Sequence, residues 1–208
     1  MGKAMSDPVS ETIATYDAIA DDYVQNYVDR SPWHQLYLEF TKRLKGKRVL
    51  DLGSGPGHDA KIFADHGLEV TGIDLSKKLL EHAKSKAPNA MFIQMDMRSL
   101  DFPDKYFDGV WALASLQHLP KSQIVSALKG VRKVLSDDGI FYLSVTRGEG
   151  EGLINKDRYD GNNKYFSNYS EQEITKYLQE SGFQIDCFFP EERQDKFWNI
   201  FAQPASLS

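Results

Sequence analysis

The feature that most constrains the fold is an apolar segment that ends in three closely spaced glycines. Residues 48–52 (RVLDL) run directly into residues 53–57 (GSGPG), and a helical pattern containing Ile62 and Phe63 follows. Glycines at such positions permit positive φ and let the backbone approach a ligand at the N-terminus of the helix. A tight turn without any ligand is the alternative. The pattern predicts a buried strand, a turn and a helix, the repeating unit of an α/β sheet.

Short apolar runs alternate with helical patterns along the rest of the chain. The predicted strands span residues 48–52, 68–73, 91–95, 107–113, 140–145, 183–189 and 197–202. One helix is predicted to begin at Ser76, and another at a capping box formed by Ser170 and Glu173. The helix that contains Val131 is predicted to end at residues 138–139 (DG). Continuous apolar strands are typical of a parallel sheet with helices on both faces, and the ligand of such a sheet lies at the carboxyl ends of its strands.

We predict one domain, residues 1–208, built from four segments. They are a helical leader or lid at 1–45, a cofactor-binding core at 46–146, an acceptor-side insertion at 147–169, and a closing helix and strands at 170–202. Apolar residues at three- and four-residue steps predict one amphipathic leader helix containing Ile13, Tyr16, Ile19, Tyr23 and Tyr27. A second leader helix is predicted to begin at Ser31-Pro32, with Leu36, Phe40 and Leu44 facing inward. The insertion is polar and rich in glycine and has no clear period. It is long for a loop in a compact domain, so it is interpreted as either functional or partly ordered.

The composition excludes several classes of protein. The 25 basic and 30 acidic residues give a net charge of −5, which argues against unaided binding of nucleic acid. The single cysteine, Cys187, excludes an intramolecular disulfide and any metal site built from several cysteines. There is no apolar run of the roughly 20 residues that a membrane helix needs. Because the first residues also lack the apolar core of a signal peptide, we expect a cytoplasmic protein with no membrane partner.

Two carboxylates follow the second and third predicted strands. Asp74 ends the second strand, where a carboxylate can accept hydrogen bonds from both ribose hydroxyls of a nucleoside. Asp96 follows the third strand, where a carboxylate can accept from an adenine amine while Met97 packs against the ring. The alternatives are a helix-capping role for Asp74 and an exposed turn position for Asp96. A nicotinamide dinucleotide fingerprint requires a sixth-position glycine, but His58 stands there, so the spacing favours a different nucleoside ligand.

Taken in order, these segments resemble the successive motifs of class I S-adenosylmethionine-dependent methyltransferases. The segments that carry the resemblance are VLDLGSGPG at 49–57, GID at 72–74, DM at 96–97, FDGV at 107–110 and VLSDDG at 134–139. The resemblance covers roughly residues 10–202. It implies a Rossmann-like, seven-stranded, mostly parallel sheet with helices on both faces, an antiparallel last strand and an N-terminal helical cap. It also implies S-adenosyl-L-methionine as cofactor and S-adenosyl-L-homocysteine as product.

The resemblance implies a role for each matching residue. Asp51 would orient the amino group of the cofactor, the glycine turn would approach its methionine part, Asp74 would hold the ribose, and the carbonyl of Leu113 would accept from the ammonium group. Tyr16 and Tyr23 resemble the leader residues that close over the cofactor, although either tyrosine is almost as well explained by packing. The implied cofactor-binding set is Tyr16, Tyr23, Asp51, Gly53, Ser54, Gly55, Gly57, Asp74, Leu75, Asp96, Met97 and Leu113.

The implied reaction is an in-line methyl transfer to a small-molecule acceptor, in which the cofactor itself supplies the activation. A catalytic base is needed only when the nucleophile begins protonated, and His118 is a weak candidate for that role. A packed or capping histidine is the stronger interpretation. No cluster of metal ligands accompanies the motifs, so no metal is expected. The sequence names neither the acceptor nor the atom that is methylated, and a monomer or a homodimer is expected.

Three other functions stay open. The leader around Tyr16, with Arg30 and Trp33, distantly resembles enzymes that methylate a modified tRNA wobble uridine, which would require a partner to supply positive charge. A regulatory protein that binds S-adenosylmethionine without turnover is the second alternative. A nicotinamide oxidoreductase is the third, and His58 counts against it.

Overall fold

The fold was analysed in a computed structural model that describes residues 7–26, 29–190 and 196–206. The first six residues and Tyr27, which the sequence assigns to the leader, lie outside the described residues. The α-helices are α1 (Pro8–Ala18), α2 (Ala20–Asn26), α3 (His34–Arg43), α4 (His58–Asp65), α5 (Lys77–Lys86), α6 (Lys121–Val134) and α7 (Glu171–Glu180). The strands are β1 (Arg48–Leu52), β2 (Glu69–Asp74), β3 (Met91–Gln94), β4 (Phe107–Leu113), β5 (Leu135–Thr146), β6 (Glu151–Asn155), β7 (Asn163–Ser167), β8 (Phe183–Phe188) and β9 (Phe197–Pro204).

Seven strands form one sheet in the order β3-β2-β1-β4-β5-β9-β8. The first five are parallel to one another, and β9 runs antiparallel to both β5 and β8. This confirms the predicted mostly parallel sheet with an antiparallel last strand. The chain reverses its strand order beside β1, where β1 pairs with β2 on one side and β4 on the other. Ligands of open α/β sheets bind at such a switch point.

Alternate residues of the central strands enter two separate cores. On β4, for example, Val110 and Ala112 face a core shared with α6 and α7, whereas Trp111 faces a core shared with α3, α4 and α5. All three side chains are fully buried. The two-sided burial is the reason why the strands read as continuous apolar runs. It also confirms that helices cover both faces of the sheet.

The leader contains two α-helices before the chain reaches α3, where one long helix was predicted. The first helix ends near Ile19, whose backbone leaves the helical conformation (φ −103°, ψ 15°). The two parts are attached to different neighbours: Thr15 Oγ1 lies 2.5 Å from the carbonyl oxygen of Asn163 in β7, and Asp21 contacts His82 of α5 at 2.9 Å. These attachments lie on either side of the bend. The bend depends on tertiary contacts, so the local hydrophobic periodicity does not indicate it.

Two further predictions at helix ends were wrong. Residues 31–33 form a 3₁₀ turn rather than the first turn of an α-helix, and α3 begins at His34. The helix α6 ends at Val134 instead of residues 138–139, because the fully buried Leu135 already pairs with Phe107 as the first residue of β5. Sheet pairing therefore prevailed over the Asp-Gly turn signal.

The insertion at 147–169 contains an antiparallel hairpin of β6 and β7 and is not an unstructured loop. Its strands are only partly buried, which explains why no clear alternation marks them in the sequence. The hairpin packs on the leader: the backbone N–H of Tyr165 donates to Thr12 Oγ1 at 2.8 Å, and Thr15 contacts Asn163 as described above. The leader and the hairpin thus form a joint cover over the carboxyl ends of the central strands.

None of the helices in the described part of the chain combines the length and hydrophobicity needed to cross a membrane. The cytoplasmic location expected from the sequence stays a prediction.

Candidate functional site

A cavity of about 480 Å³ lies between the carboxyl ends of the central strands and the joint cover. This volume is typical of sites for small molecules. Ten of the twelve predicted cofactor-binding residues line it: Tyr16, Tyr23, Gly53, Ser54, Gly55, Asp74, Leu75, Asp96, Met97 and Leu113. The candidate base His118 lines it as well. Asp51 and Gly57 are not among the lining residues.

The glycine turn forms one wall of the cavity with its backbone. Gly53 and Gly55 have φ values of +78° and +51°, in the left-handed region that glycine favours. A Cβ added to Gly53 would lie 2.4 Å from the Cβ of Ser115, whereas one added to Gly55 would meet no atom within 4 Å. Gly53 is therefore required for packing, and Gly55 faces open space. Gly57 packs against α5, where an added Cβ would lie 2.9 Å from the Cβ of Ala83.

Asp74 connects the glycine turn to the start of α5. Its Oδ2 accepts from the backbone N–H of Gly55 at 2.9 Å, and its Oδ1 accepts from the N–H of Ser76 at 2.8 Å. Burial raises the pKa of Asp74, and the hydrogen bonds from Ser76, Gly55 and Leu75 oppose that shift. Ser76 Oγ accepts from Leu79 N in the first turn of α5, which confirms that the helix begins with Ser76 as its N-cap. A carboxylate has about four acceptor positions, so Asp74 can still accept from a ligand.

Asp96, which also lines the cavity, is held by Arg98. The Nε and Nη2 of Arg98 donate to the Asp96 carboxylate, and the shortest contact is 2.6 Å. Burial opposes the charged form, but the hydrogen bonds from Arg98 hold the pKa of Asp96 below its usual range. Arg98 also donates to Asp7 at 2.9 Å, and Asp7 caps α1. The adenine-site candidate is thus attached to the leader through one guanidinium group, which the sequence did not indicate.

A buried acidic pair lies behind the glycine turn. Asp59, in the first turn of α4, accepts from the hydroxyl of Tyr37 at 2.8 Å and from the indole N–H of Trp111 at 2.9 Å. Its Oδ1 also lies 3.1 Å from Nε of Arg30. Burial and the neighbouring Asp59 raise the pKa of Asp51 well above its usual range, and Arg30 opposes this. Burial alone would lower the pKa of Arg30, but Asp59 and other nearby acidic groups raise it.

Several buried polar atoms around the glycine turn have no hydrogen-bond partner. Among the described residues six such side-chain atoms occur, and three of them belong to Asp51, Ser54 and Ser115. A fourth, Arg30 Nε, has only its ion-pair contact with Asp59. Buried polar groups in folded proteins are normally hydrogen-bonded, so this cluster indicates a polar ligand. A carboxyl oxygen, a nearby guanidinium and two hydroxyls suit the ammonium and carboxylate groups of an amino acid. The residues present therefore fit the methionine part of S-adenosylmethionine.

His118 connects the leader to the hairpin through both of its ring nitrogens. Its Nδ1 lies 2.7 Å from the carbonyl oxygen of Tyr165, so Nδ1 carries the proton, and Nε2 accepts from the hydroxyl of Tyr16 at 3.0 Å. Burial lowers the pKa of His118 to about 4, the bond to Tyr165 opposes the shift and the charge of Lys164 adds to it. A neutral imidazole with both nitrogens engaged ties the leader to the hairpin and is a poor general base.

The pKa of His118 predicts a dependence of stability on pH. Because the unfolded histidine titrates near 6.5 and the folded one near 4, the unfolded state binds the additional proton between these values. Stability should therefore fall as the pH drops from 7 to 5, by about 1–2 kcal/mol from this group. Urea unfolding at both pH values should show a smaller loss in His118→Asn than in the parent. His58, whose pKa burial also lowers to about 4, contributes in the same direction.

The exposed His34 provides the control for that comparison, as His34→Asn removes a histidine that lies outside the cavity. Identical pH profiles for the parent and His118→Asn would contradict the assigned geometry of His118.

The residues that sequence reasoning missed are Asp59, Arg98, Ser115 and Lys164, and Arg30 was noted only for a different function. Asp59 carried the one usable signal, an acidic residue in the first turn of the helix after the glycines. The others act through contacts with distant segments. Among the described residues no group of three or more His, Cys, Asp or Glu could hold a metal ion.

The fold is shared with solved S-adenosylmethionine-dependent methyltransferases. Residues 49–139 match a family model described as a methyltransferase domain, which confirms the resemblance seen in the motifs.

The chain is similar to several known proteins. It is 37% identical over 111 residues to an uncharacterized methyltransferase of Synechocystis sp. (strain ATCC 27184 / PCC 6803 / Kazusa), covering 53% of this chain and 52% of that protein. It is 32% identical over 126 residues to a demethylmenaquinone methyltransferase of Renibacterium salmoninarum, covering 57% and 53%. The chain thus spans about half the length of the curated relatives it matches.

Solved structures share the fold over nearly the whole chain. One of them is 1,6-didemethyltoxoflavin-N1-methyltransferase of Burkholderia thailandensis, crystallised with 1,6-didemethyltoxoflavin and S-adenosylhomocysteine. The two chains superpose with a TM-score of 0.73 at 20% identity, covering 99% of this chain and 94% of that chain.

Proposed function

We propose that this protein transfers a methyl group from S-adenosylmethionine to a small-molecule acceptor bound beneath the leader and the hairpin. The observation that carries the proposal is the cluster of unpartnered buried polar atoms at the glycine turn, beside a cavity of about 480 Å³ that Ser54 and Ser115 line. The methyltransferase-domain match over residues 49–139 supports the same reaction class. The relatives include enzymes whose names specify small-molecule acceptors, which supports the acceptor class.

The residues around the glycine turn would bind the amino-acid part of the cofactor. The buried Asp51 carboxylate would attract the ammonium group from behind the turn, and the Leu113 carbonyl would accept from it. Arg30, which is only 18% exposed at its side chain, would attract the carboxylate. Two buried carboxylates, Asp51 and Asp59, flank this single guanidinium, so a bound ammonium would balance the local charge.

The part of the cavity next to Asp74 and Asp96 would bind the nucleoside. Asp74 would accept from the ribose hydroxyls next to Leu75, and Asp96 and Met97 would contact the adenine. Both carboxylates are held in place by hydrogen bonds within the chain, so little ordering would remain to be done when the cofactor binds.

The sulfonium cofactor supplies an activated methyl group, so the chain's main task is to align the acceptor and to exclude water. The joint cover provides the walls for this purpose. With its pKa near 4 and Nε2 accepting from Tyr16, His118 would hold Tyr16 and the hairpin in position and would not remove a proton. An acceptor whose nucleophile is already ionised at neutral pH would require no base.

Calorimetry tests the cofactor assignment. We expect S-adenosylmethionine and S-adenosylhomocysteine to bind with micromolar Kd values, about −7 to −8 kcal/mol. Gly55→Leu should abolish this binding because the new side chain would enter the cavity. Gly67→Leu is the matched control, since Gly67 also has positive φ (+80°) and open space but lies outside the cavity.

The absence of binding at millimolar cofactor would refute the cofactor assignment. If the cofactor binds, a second experiment measures the formation of S-adenosylhomocysteine with a library of small-molecule acceptors. It separates an enzyme from a regulatory protein that only binds the cofactor.

Limited proteolysis tests the proposed cover. Cofactor together with an acceptor found in the library should slow cleavage within residues 147–169 and within the leader, because closed covers exclude water. Thr15→Val removes the hydroxyl that contacts Asn163 and should reduce this protection and the turnover more than the cofactor affinity. Thr41→Val is the control, since the Thr41 hydroxyl bonds only within α3 and its N-terminal turn. Equal cleavage with and without ligands would exclude the cover.

A further inference from the structure

The cavity has a second half, beyond the cofactor-binding residues, that belongs to the joint cover. This acceptor half is lined by Lys156, Tyr159, Lys164, Phe166, Lys196 and Phe197. The side chains come from the hairpin and from the start of β9. Aromatic rings therefore form much of its wall, and its charged groups determine which acceptors it can bind.

The charged residues of the cavity are distributed unequally. The carboxylates that line it, Asp59, Asp74 and Asp96, all lie near the cofactor-binding residues, and each accepts hydrogen bonds from donors of this chain. Among the described residues that line the acceptor half there is no carboxylate. Its charged groups are Lys156, Lys164 and Lys196. His118 adds no charge at neutral pH, because burial lowers its pKa to about 4.

The three lysines lie against aromatic rings. Lys164 is only 2% exposed, and its Nζ lies 3.4 Å from the ring centroid of Tyr16 and 4.5 Å from that of Tyr159. The Nζ of Lys156 lies 5.8 Å from the ring centroid of Phe166, and that of Lys196 lies 5.5 Å from the centroid of Phe197. Such cation–π contacts favour ammonium positions beside the rings that line the cavity.

We infer that the acceptor is a small organic anion with an aromatic or apolar body. This inference rests on the proposed function and specifies its acceptor class. The negative group lies among the ammonium groups of Lys156, Lys164 and Lys196, and the body packs against Phe166 and Phe197. A cleft lined by charges of one sign concentrates ligands of the opposite sign and repels cationic ones. The positive charge of a bound sulfonium cofactor acts in the same direction.

The test compares matched acids and amides as ligands of the protein saturated with S-adenosylhomocysteine. The probes are 4-hydroxybenzoate against 4-hydroxybenzamide, and indole-3-acetate against indole-3-acetamide, measured by calorimetry. Each acid should bind about tenfold or more tightly than its amide. Higher salt should weaken the binding of the acids and leave that of the amides unchanged.

The variant Lys156→Gln/Lys196→Gln changes two exposed residues and should reduce acid binding about five- to tenfold without affecting the amides. The control Lys84→Gln/Lys129→Gln removes the same charge from exposed positions outside the cavity and should bind the acids as the parent does. Lys164→Met tests the buried lysine with a side chain of similar length.

Equal affinity for acid and amide would overturn the inference, as would the absence of acid binding at about 5 mM. Equal loss of acid binding in the control would show that only the net charge matters and would also overturn it. Binding of S-adenosylhomocysteine is measured first in every variant. Its loss in the parent would count against the proposed function, whereas a missing acid preference in a protein that binds the cofactor would count against the anionic acceptor alone.

Discussion

Replacing Asp59 by alanine is expected to lower the free energy of unfolding by about 3–5 kcal/mol, a large part of the stability of an ordinary domain. The carboxylate accepts from the Tyr37 hydroxyl and the Trp111 indole, and it contacts the Arg30 guanidinium. Both aromatic side chains are buried, Trp111 completely. Alanine would leave all three donors without their acceptor, and a buried unpaired donor loses the hydrogen bonds that water would provide in the unfolded state.

Urea unfolding of the parent and of Asp59→Ala measures this effect. Asp65→Ala is the matched control, because Asp65 lies at the other end of α4, is exposed and pairs only with Lys61. Its substitution should change the free energy of unfolding by about 0.5 kcal/mol or less. If the two variants unfold at the same urea concentration, the buried network contributes no stability and its assigned geometry is wrong.

Replacing Asp74 by alanine is expected to weaken the binding of S-adenosylhomocysteine by about 1.5–3 kcal/mol, roughly 10- to 150-fold. Two losses contribute. The ribose hydroxyls would lose a charged acceptor, and the N–H of Gly55 would lose the bond that holds the glycine turn in its binding conformation. From its place at the end of a strand, the sequence predicts that this carboxylate is accessible in the empty protein and that its loss largely spares folding. Because Asp74 also accepts from Ser76, we now expect a moderate loss of stability as well.

Ser76→Ala separates the stability of the start of α5 from the binding of the cofactor by Asp74. It removes the N-cap of α5, which typically costs about 1 kcal/mol of stability, but leaves the Asp74 carboxylate in place. Calorimetry should therefore find near-parent cofactor affinity in Ser76→Ala and greatly reduced affinity in Asp74→Ala. If Asp74→Ala binds S-adenosylhomocysteine within twofold of the parent affinity, Asp74 only stabilises the glycine turn and the start of α5.

The core of the fold could be predicted because its signals are local. The strand at 107–113 and the capping box at Ser170 appear in the structure at the predicted residues. Buried strands show as apolar runs and helix starts show as capping residues, and each signal depends on a few neighbouring positions. The glycine turn is equally local, since positive φ at Gly53 and Gly55 restricts these positions to glycine. Such features identified the sheet and the edge that carries the site.

The contacts that complete the site are not local, and the sequence did not indicate them. The bend at Ile19, the hairpin at 151–167 and the attachment of Asp96 to Asp7 through Arg98 all depend on segments far apart in the chain. The strands of the hairpin are only partly buried, so their sequence shows no strong alternation of apolar and polar residues. The hairpin packs on α1, which lies about 150 residues earlier in the chain. The positions of the exposed Lys156 and Lys196 beside aromatic rings, and the burial of Lys164, likewise arise from packing.

The sequence by itself determined the class of sheet, the position of the glycine turn and ten residues that line the cavity, because backbone restrictions and hydrophobic periodicity act over a few residues. Only the tertiary structure decided which groups share that cavity. It placed His118 between Tyr16 and Tyr165, where burial lowers the pKa of the imidazole. Desolvation and charge depend on everything that packs around a group, so these properties follow from the assembled fold and not from the residue or its neighbours in sequence.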